Sequence, residues 1–324
     1  MGSNSTEKEV AHDVFPYLRQ YKDGSVERLN GTATCPPNTH PHVLSKDVII
    51  DSRTGISARL YLPKNINKDE RKLPLFVYFH GGAFLIASPA EPLYDASLNT
   101  IVAQANVVAV SVDYRLAPEH PLPTAYDDCW SALQWISAHA SSGSGGGSEA
   151  WLTDHVDFSR VYLAGDSAGA NIAHHVSFRA ADADPEVVVR PAGIVMIHPY
   201  FWSKDPTESE LSDPVRKGMV DKWWIYACPS EKGCDDPLIN PYADGSPSLA
   251  GLGCERLMVC VAEKDILCDR GRVYYESVVR SGWRGRAELF VSEGEDHVFH
   301  IFNPQCQKAM ELIKSVAEFV NSRD

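Results

Sequence analysis

The chain has 324 residues, 44% of them hydrophobic and 23% charged, with 22 glycines and 21 prolines; that composition excludes disordered, collagenous and coiled-coil classes. Thirty Lys and Arg stand against 43 Asp and Glu, a formal charge of −13, and a field of that sign repels nucleic-acid backbones and anionic lipid. No run of about 18 apolar residues is present to span a bilayer, so neither nucleic acid nor a membrane is an expected partner.

Residues 1–30 are polar with scattered charges and lack the apolar centre and cleavage pattern of a signal peptide. A cytoplasmic protein is the default expectation, with its eight cysteines as free thiols. Residues 1–6 fit the short pattern for myristoylation of Gly2, but Glu7, Lys8 and Glu9 supply no basic second anchor, and a loose polar terminus is expected. Short β-branched runs then predict strands at 47–51, 58–62, 75–79, 107–112, 161–164, 193–197, 257–261 and 287–291. The first two suit an antiparallel edge. Later ones are apolar on successive residues, as strands buried on both faces require. Cys129, Leu133 and Ile136 mark one helical face, and Leu312, Val316, Phe319 and Val320 another. This alternation predicts an α/β fold with a mostly parallel sheet flanked by helices. The Gly/Ser-rich stretch 141–148 is expected to be a surface loop rather than a domain boundary. Residues 200–253 break the rhythm with prolines, Trp223-Trp224 and one plausible helix over 215–227; an insertion there predicts a cap over the strand ends.

Gly165-Asp166-Ser167-Ala168-Gly169 follows an apolar strand and opens a helical pattern, the context of a strand-to-helix elbow that lifts a serine hydroxyl above the sheet. Such a hydroxyl needs a base and an orienting carboxylate. Asp265 directly follows the strand at 257–261, and His297 follows the next strand, matching the order Ser, acid, His. Glu263, Asp269 and Asp296 compete for the acid role; Asp265 is favoured by its place just past the strand, and Asp269 is expected to head a helix. His174 and His175 lie two turns down the helix after Ser167 and point away from it. His80-Gly81-Gly82-Ala83 follows the strand at 75–79, the place for a glycine-rich loop whose N–H groups, with that of Ala168, would hold an oxyanion. Phe84, Trp202 and Trp223 are candidate substrate-pocket residues, with core packing the competing role for Trp223 and Trp224. Cys228 and Cys234 lack the partners of a metal site, and neither metal nor organic cofactor is expected.

In combination, His80-Gly81-Gly82-Ala83-Phe84, the run from Asp113 to Pro121, Gly165-Asp166-Ser167-Ala168-Gly169 and Asp296-His297 resemble the plant carboxylesterases of the hormone-sensitive-lipase type. The resemblance runs from about Tyr21 to the C-terminus. It implies an α/β-hydrolase fold in a single domain spanning 1–324, with helical cap elements from about 1–45 and 200–253. It further implies Ser167 as nucleophile, His297 as base, Asp265 as orienting acid, an oxyanion hole of Gly81, Gly82 and Ala168 N–H groups, and His80 bracing that loop. The implied substrate is a small, short-acyl ester, the implied assembly a monomer or homodimer. Ala83 departs from the family's frequent third glycine, and Ile266 from its frequent proline. The family also holds gibberellin receptors that have lost the histidine, and 2-hydroxyisoflavanone dehydratases and cyclases, several of which alter the serine or glycine-rich positions. This chain keeps Ser167, His297, Gly81 and Gly82, so hydrolysis is the favoured reading over elimination, and receptor function the least favoured.

Overall fold

The computed structural model describes residues 8–66, 72–140, 147–184 and 188–322; Gly2 and residues 141–146 of the Gly/Ser stretch lie outside them. The chain opens with β1 (Val10–Val14), β2 (Leu18–Tyr21) and β3 (Val26–Arg28), which pair only with one another as an antiparallel sheet. There follow β4 (Val43–Asp51), β5 (Ile56–Pro63), β6 (Leu73–Phe79), α1 (Pro92–Ala105), β7 (Val108–Asp113), α2 (Thr124–Ser137), α3 (Ala150–His155), β8 (Val156–Asp166) and α4 (Ala168–Asp182). The remainder comprises β9 (Gly193–Ile197), α5 (Glu208–Ser212), α6 (Pro214–Ala227), β10 (Arg256–Ala262), α7 (Cys268–Arg280), β11 (Arg286–Ser292), α8 (Phe299–Phe302) and α9 (Gln307–Asn321).

The main sheet has eight strands in the order β11-β10-β9-β8-β6-β7-β5-β4. It is parallel from β11 to β7, whereas β5 pairs antiparallel with both β7 and β4. Each predicted strand overlaps one of these eight, and the expected antiparallel edge is β4–β5. Alternation along β6 feeds two cores: Leu75, Val77 and Phe79 belong to the one that also takes side chains of α2, α4 and α7, while Phe76 and Tyr78 belong to the one that takes those of α1 and α9. The helical faces read from the sequence sit there, with Cys129, Leu133 and Ile136 in the first core and Leu312, Val316, Phe319 and Val320 in the second.

The insertion contributes helices α5 and α6, the second starting one residue before the predicted helix, with Pro at its first turn and Asp213 accepting from Arg216 N–H as N-cap. The N-terminal segment differs from the helical expectation, because residues 10–28 form β1–β3. Four of the five residues of β1 are exposed, so there is no continuous apolar face for a helix to bury, and backbone pairing organises the segment instead. It rests on α6, where Trp223 Nε1 donates to Phe15 O (3.0 Å) and Tyr226 Oη to Gln20 Oε1 (2.9 Å). All eight cysteines are free thiols, and among the described residues no helix is long and apolar enough to cross a membrane.

Candidate active site

The sequence around Ser167 folds as a sharp elbow because β8 must turn into α4 against the end of β6. Ser167 itself takes φ 51°, ψ −116°, a sparsely populated region for a non-glycine residue. A Cβ at Gly169 would stand 1.8 Å from Phe79 O and one at Gly165 2.4 Å from the Gly169 carbonyl carbon, so any larger side chain at either place would drive the elbow off the sheet. The turn holds the Ser167 hydroxyl at the carboxyl ends of the central strands, and the Ala168 N–H opens α4 beside it.

His297 Nε2 lies 3.0 Å from Ser167 Oγ, and His297 Nδ1 lies 2.7 Å from Asp265 Oδ2. Asp265 is almost fully buried, and its other oxygen accepts from Leu267 N–H. Burial by itself lowers the His297 pKa, but the charge and hydrogen bond of Asp265 outweigh it and hold the imidazole above its ordinary value. The three competing carboxylates are engaged elsewhere. Glu263 accepts from Gly294 N–H, Asp269 sits in the first turn of α7 and accepts from Ser209 N–H, and Asp296 forms a two-bond ion pair with Arg216 (3.1 and 2.8 Å). His174 is buried on α4 with its Nδ1 against Tyr274 Oη.

The glycine-rich loop requires a correction. The Gly81 N–H is already spent, donating to Asp166 Oδ1 and Tyr94 Oη at 3.0 Å each, so it has no hydrogen to offer a substrate oxygen. The next two amides, of Gly82 and Ala83, make no hydrogen bond among the described residues. Gly82, Ala83 and Phe84 all have positive φ, and Gly82 and Ala83 each line a cavity that Ser167 also lines. His80 stacks on Tyr114 at 4.2 Å, with its Nδ1 2.8 Å from Gly81 O. Burial pushes its pKa down to about 4, so it is a neutral support of the loop. Asp166 is fully buried and accepts from Tyr78 Oη, Tyr94 Oη and Gly81 N–H. Burial raises its pKa against those hydrogen bonds. An acid ending an apolar strand is a signal in itself, since such a group is buried only where donors surround it.

Two cavities meet at Ser167 and His297. The smaller, of about 200 Å³, is walled by Ala83, Tyr200, Arg216, Trp223, Ile266 and Leu267; the larger, of about 420 Å³, by Gly82, Ile86, Glu91, Tyr94, Asp166 and Ile301. Tyr17 and Phe302 border both. Of the predicted pocket residues, Trp223 lines the smaller of these two cavities, and Phe84 and Trp202 line neither. Phe84 is fully buried among Tyr126, Tyr200 and Trp224. Trp202 is buried behind the wall, where its Nε1 donates to Asp221. Both rings follow turns near the mouth, but each turn directs its ring inward. Trp224 is likewise core. One cluster among the described residues has ligand atoms within 4.8 Å of one another, namely His198, Asp265 and His297. Within it His297 Nδ1 meets Asp265, and His198 Nδ1 accepts from Val298 N–H, while His198 Nε2 has no partner among the described residues.

A family model described as an alpha/beta hydrolase fold matches residues 76–301. Over 319 residues, 98% of each chain, the protein is 54% identical to "Probable carboxylesterase 2" of Arabidopsis thaliana. It is 43% identical over 323 residues, again 98% of each, to 2-hydroxyisoflavanone dehydratase of Glycyrrhiza echinata. Among solved structures, a thermostable carboxylesterase cloned from a metagenomic library superposes with a TM-score of 0.72 at 30% identity, covering 87% of this chain and 90% of the other. With the elbow, the parallel sheet and this similarity along nearly its whole length, the chain belongs to the α/β-hydrolase family and, within it, to the group of plant carboxylesterases and their relatives.

Proposed function

We propose that the protein is a serine carboxylesterase in which Ser167 is the nucleophile, His297 the general base and Asp265 the residue that orients and charges it. The observation that carries this reading is the unbroken chain Ser167 Oγ, His297 Nε2, His297 Nδ1, Asp265 Oδ2 at 3.0 and 2.7 Å, set where two cavities meet. Ser167 Oγ attacks the ester carbonyl carbon while its proton passes to His297 Nε2. The amides of Gly82, Ala83 and Ala168 stabilise the oxyanion, each typically contributing about 3 kcal/mol in the transition state. The carbon–oxygen bond to the alcohol then breaks, and His297 returns the proton to the departing alkoxide. Water adds to the acyl-serine with His297 again taking the proton, and collapse frees the acid and restores Ser167.

A lobe of about 200 Å³ suits an acyl group of a few carbons, below the usual size of drug-like pockets, and the larger lobe takes the alcohol. Small esters of plant metabolites are the substrate class this supports. The N-terminal sheet and the α5–α6 segment act as the cap of a single domain, because Tyr17, Arg216 and Trp223 wall the cavities. The free state of all eight cysteines supports a cytoplasmic setting.

Ser167→Ala should lose at least about a thousandfold in kcat on para-nitrophenyl acetate with its circular dichroism spectrum unchanged; full activity in the variant overturns the assignment. The similarity to a dehydratase gives a second reading its own assay: incubation with a 2-hydroxyisoflavanone, followed for loss of water with no ester present.

A further inference from the structure

His198 follows β9 and takes φ 48°, its own N–H donating to Cys260 O at the end of β10. The side chain is almost fully buried, and its Nδ1 accepts the Val298 N–H at 2.8 Å. An amide N–H can only donate, so Nδ1 is bare and the proton of the neutral ring sits on Nε2. Burial, then the neighbouring His300 and His297, keep this ring's pKa well below the ordinary value, so the acceptor at Nδ1 persists throughout the working range. Val298 is the residue directly after His297 and has φ 45°, a conformation that a β-branched residue avoids unless its surroundings impose it. The rings of His198 and His297 lie 5.9 Å apart, and ligand atoms of His198, Asp265 and His297 fall within 4.8 Å of one another.

We propose that His198 is a positioning residue for His297: by accepting the Val298 N–H it holds the left-handed turn that sets the imidazole between Ser167 and Asp265. The idea rests on His297 being the base, as proposed above. Unlike the serine, acid and base, His198 touches neither substrate nor reacting atoms; it governs the distance over which the proton moves, and misplacing a catalytic group by about 1 Å can cost about 100-fold.

Two variants test it on para-nitrophenyl acetate. His198→Met fills the same space with a poor acceptor; kcat should fall about 10- to 100-fold with KM within about twofold. Its acidic pH limb should move to lower pH, because a displaced imidazole loses part of the raise that Asp265 confers. Asp166 at the end of β8, Arg216 on α6, Asp296 next in sequence and His300 on α8 also act on His297, and all are unchanged in both variants. His198→Asn places an amide oxygen where Nδ1 stood and tolerates the left-handed backbone; it should recover most of kcat and the wild-type limb. Wild-type kcat in the Met variant, or an Asn variant as slow as Met, overturns the proposal. Should the Met variant fail to fold by circular dichroism, His198→Gln replaces it, with its amide one bond too far out. A slow Gln beside a fast Asn then supports the proposal, and equal rates overturn it. Activity retained by Ser167→Ala would refute the esterase mechanism itself, whereas an inactive Ser167→Ala beside unaffected His198 variants refutes only the role of His198.

Discussion

At the scale of single residues, the site is set by steric limits as much as by the reacting groups. Gly81 illustrates this, since a Cβ there would lie 2.3 Å from Asp166 Oδ2 and 2.9 Å from Tyr94 Oη. Gly81→Ala must therefore break the hold of Asp166 on the loop and shift the two free amides that follow. Its kcat/KM on para-nitrophenyl acetate should fall about 100-fold, measured by initial rates beside a wild-type-like far-UV spectrum. The same residue marks the limit of what the sequence discloses. The pattern His80-Gly81-Gly82-Ala83 announces an oxyanion loop, but which of its amides are free depends on a buried aspartate 85 positions away, and no local pattern carries that pairing. Ser167, Asp265 and His297 are legible because each lies within five residues of a strand's carboxyl end, so strand ends order them along the chain. Phe84 and Trp202 mislead for the converse reason: a ring near the mouth is as easily turned into the core, where its apolar area is worth more.

Among the elements, the first helix shows how the antiparallel side of the sheet is tied down. Asp95 on α1 accepts from Arg59 and Tyr61 of β5, from Thr39 and from Asn99, and both Asp95 and Arg59 are 2% exposed. Arg59 also pairs with Asp47 at 2.7 and 2.9 Å, so removing Asp95 leaves the guanidinium half-compensated and strips buried donors of Tyr61 and Asn99 of their carboxylate acceptor. Asp95→Ala should destabilise the fold by about 3 kcal/mol, read as a lower urea midpoint at unchanged slope. The inner strands of the main sheet are legible because burial on both faces forces unbroken apolar runs, while the half-exposed edge strands β4 and β11 are marked by β-branched and aromatic residues among polar ones. The three strands of the N-terminal sheet are not, because β1 is mostly exposed and the segment's few buried side chains, such as Val14 and Leu18, find cover only through elements distant in sequence.

For the whole molecule, the two cavities are a joint product of the main sheet and the segments laid over it. Tyr17 borders both, Trp223 and Arg216 wall the smaller, and the Arg216–Asp296 pair ties α6 to the loop that carries His297. Because β1–β3 share no strand pairing with the main sheet, deleting residues 1–28 should leave the far-UV spectrum of the remainder largely intact. The same deletion should lower kcat/KM by at least about tenfold, through lost substrate contact and water exclusion, as a substrate panel of acetyl and butyryl esters would show.

The order of the reacting groups along the chain has a consequence for synthesis. The serine elbow is complete near the midpoint, yet its base lies 130 residues further on, and α9, which covers the face of the sheet beside α1, comes later still. A chain still being made at the ribosome therefore carries its proposed nucleophile without a proton acceptor while 130 of its 324 residues are added. On the proposed mechanism, hydrolytic competence arrives only with β11 and its following loop, so a chain that ends before His297 should be inert toward para-nitrophenyl acetate.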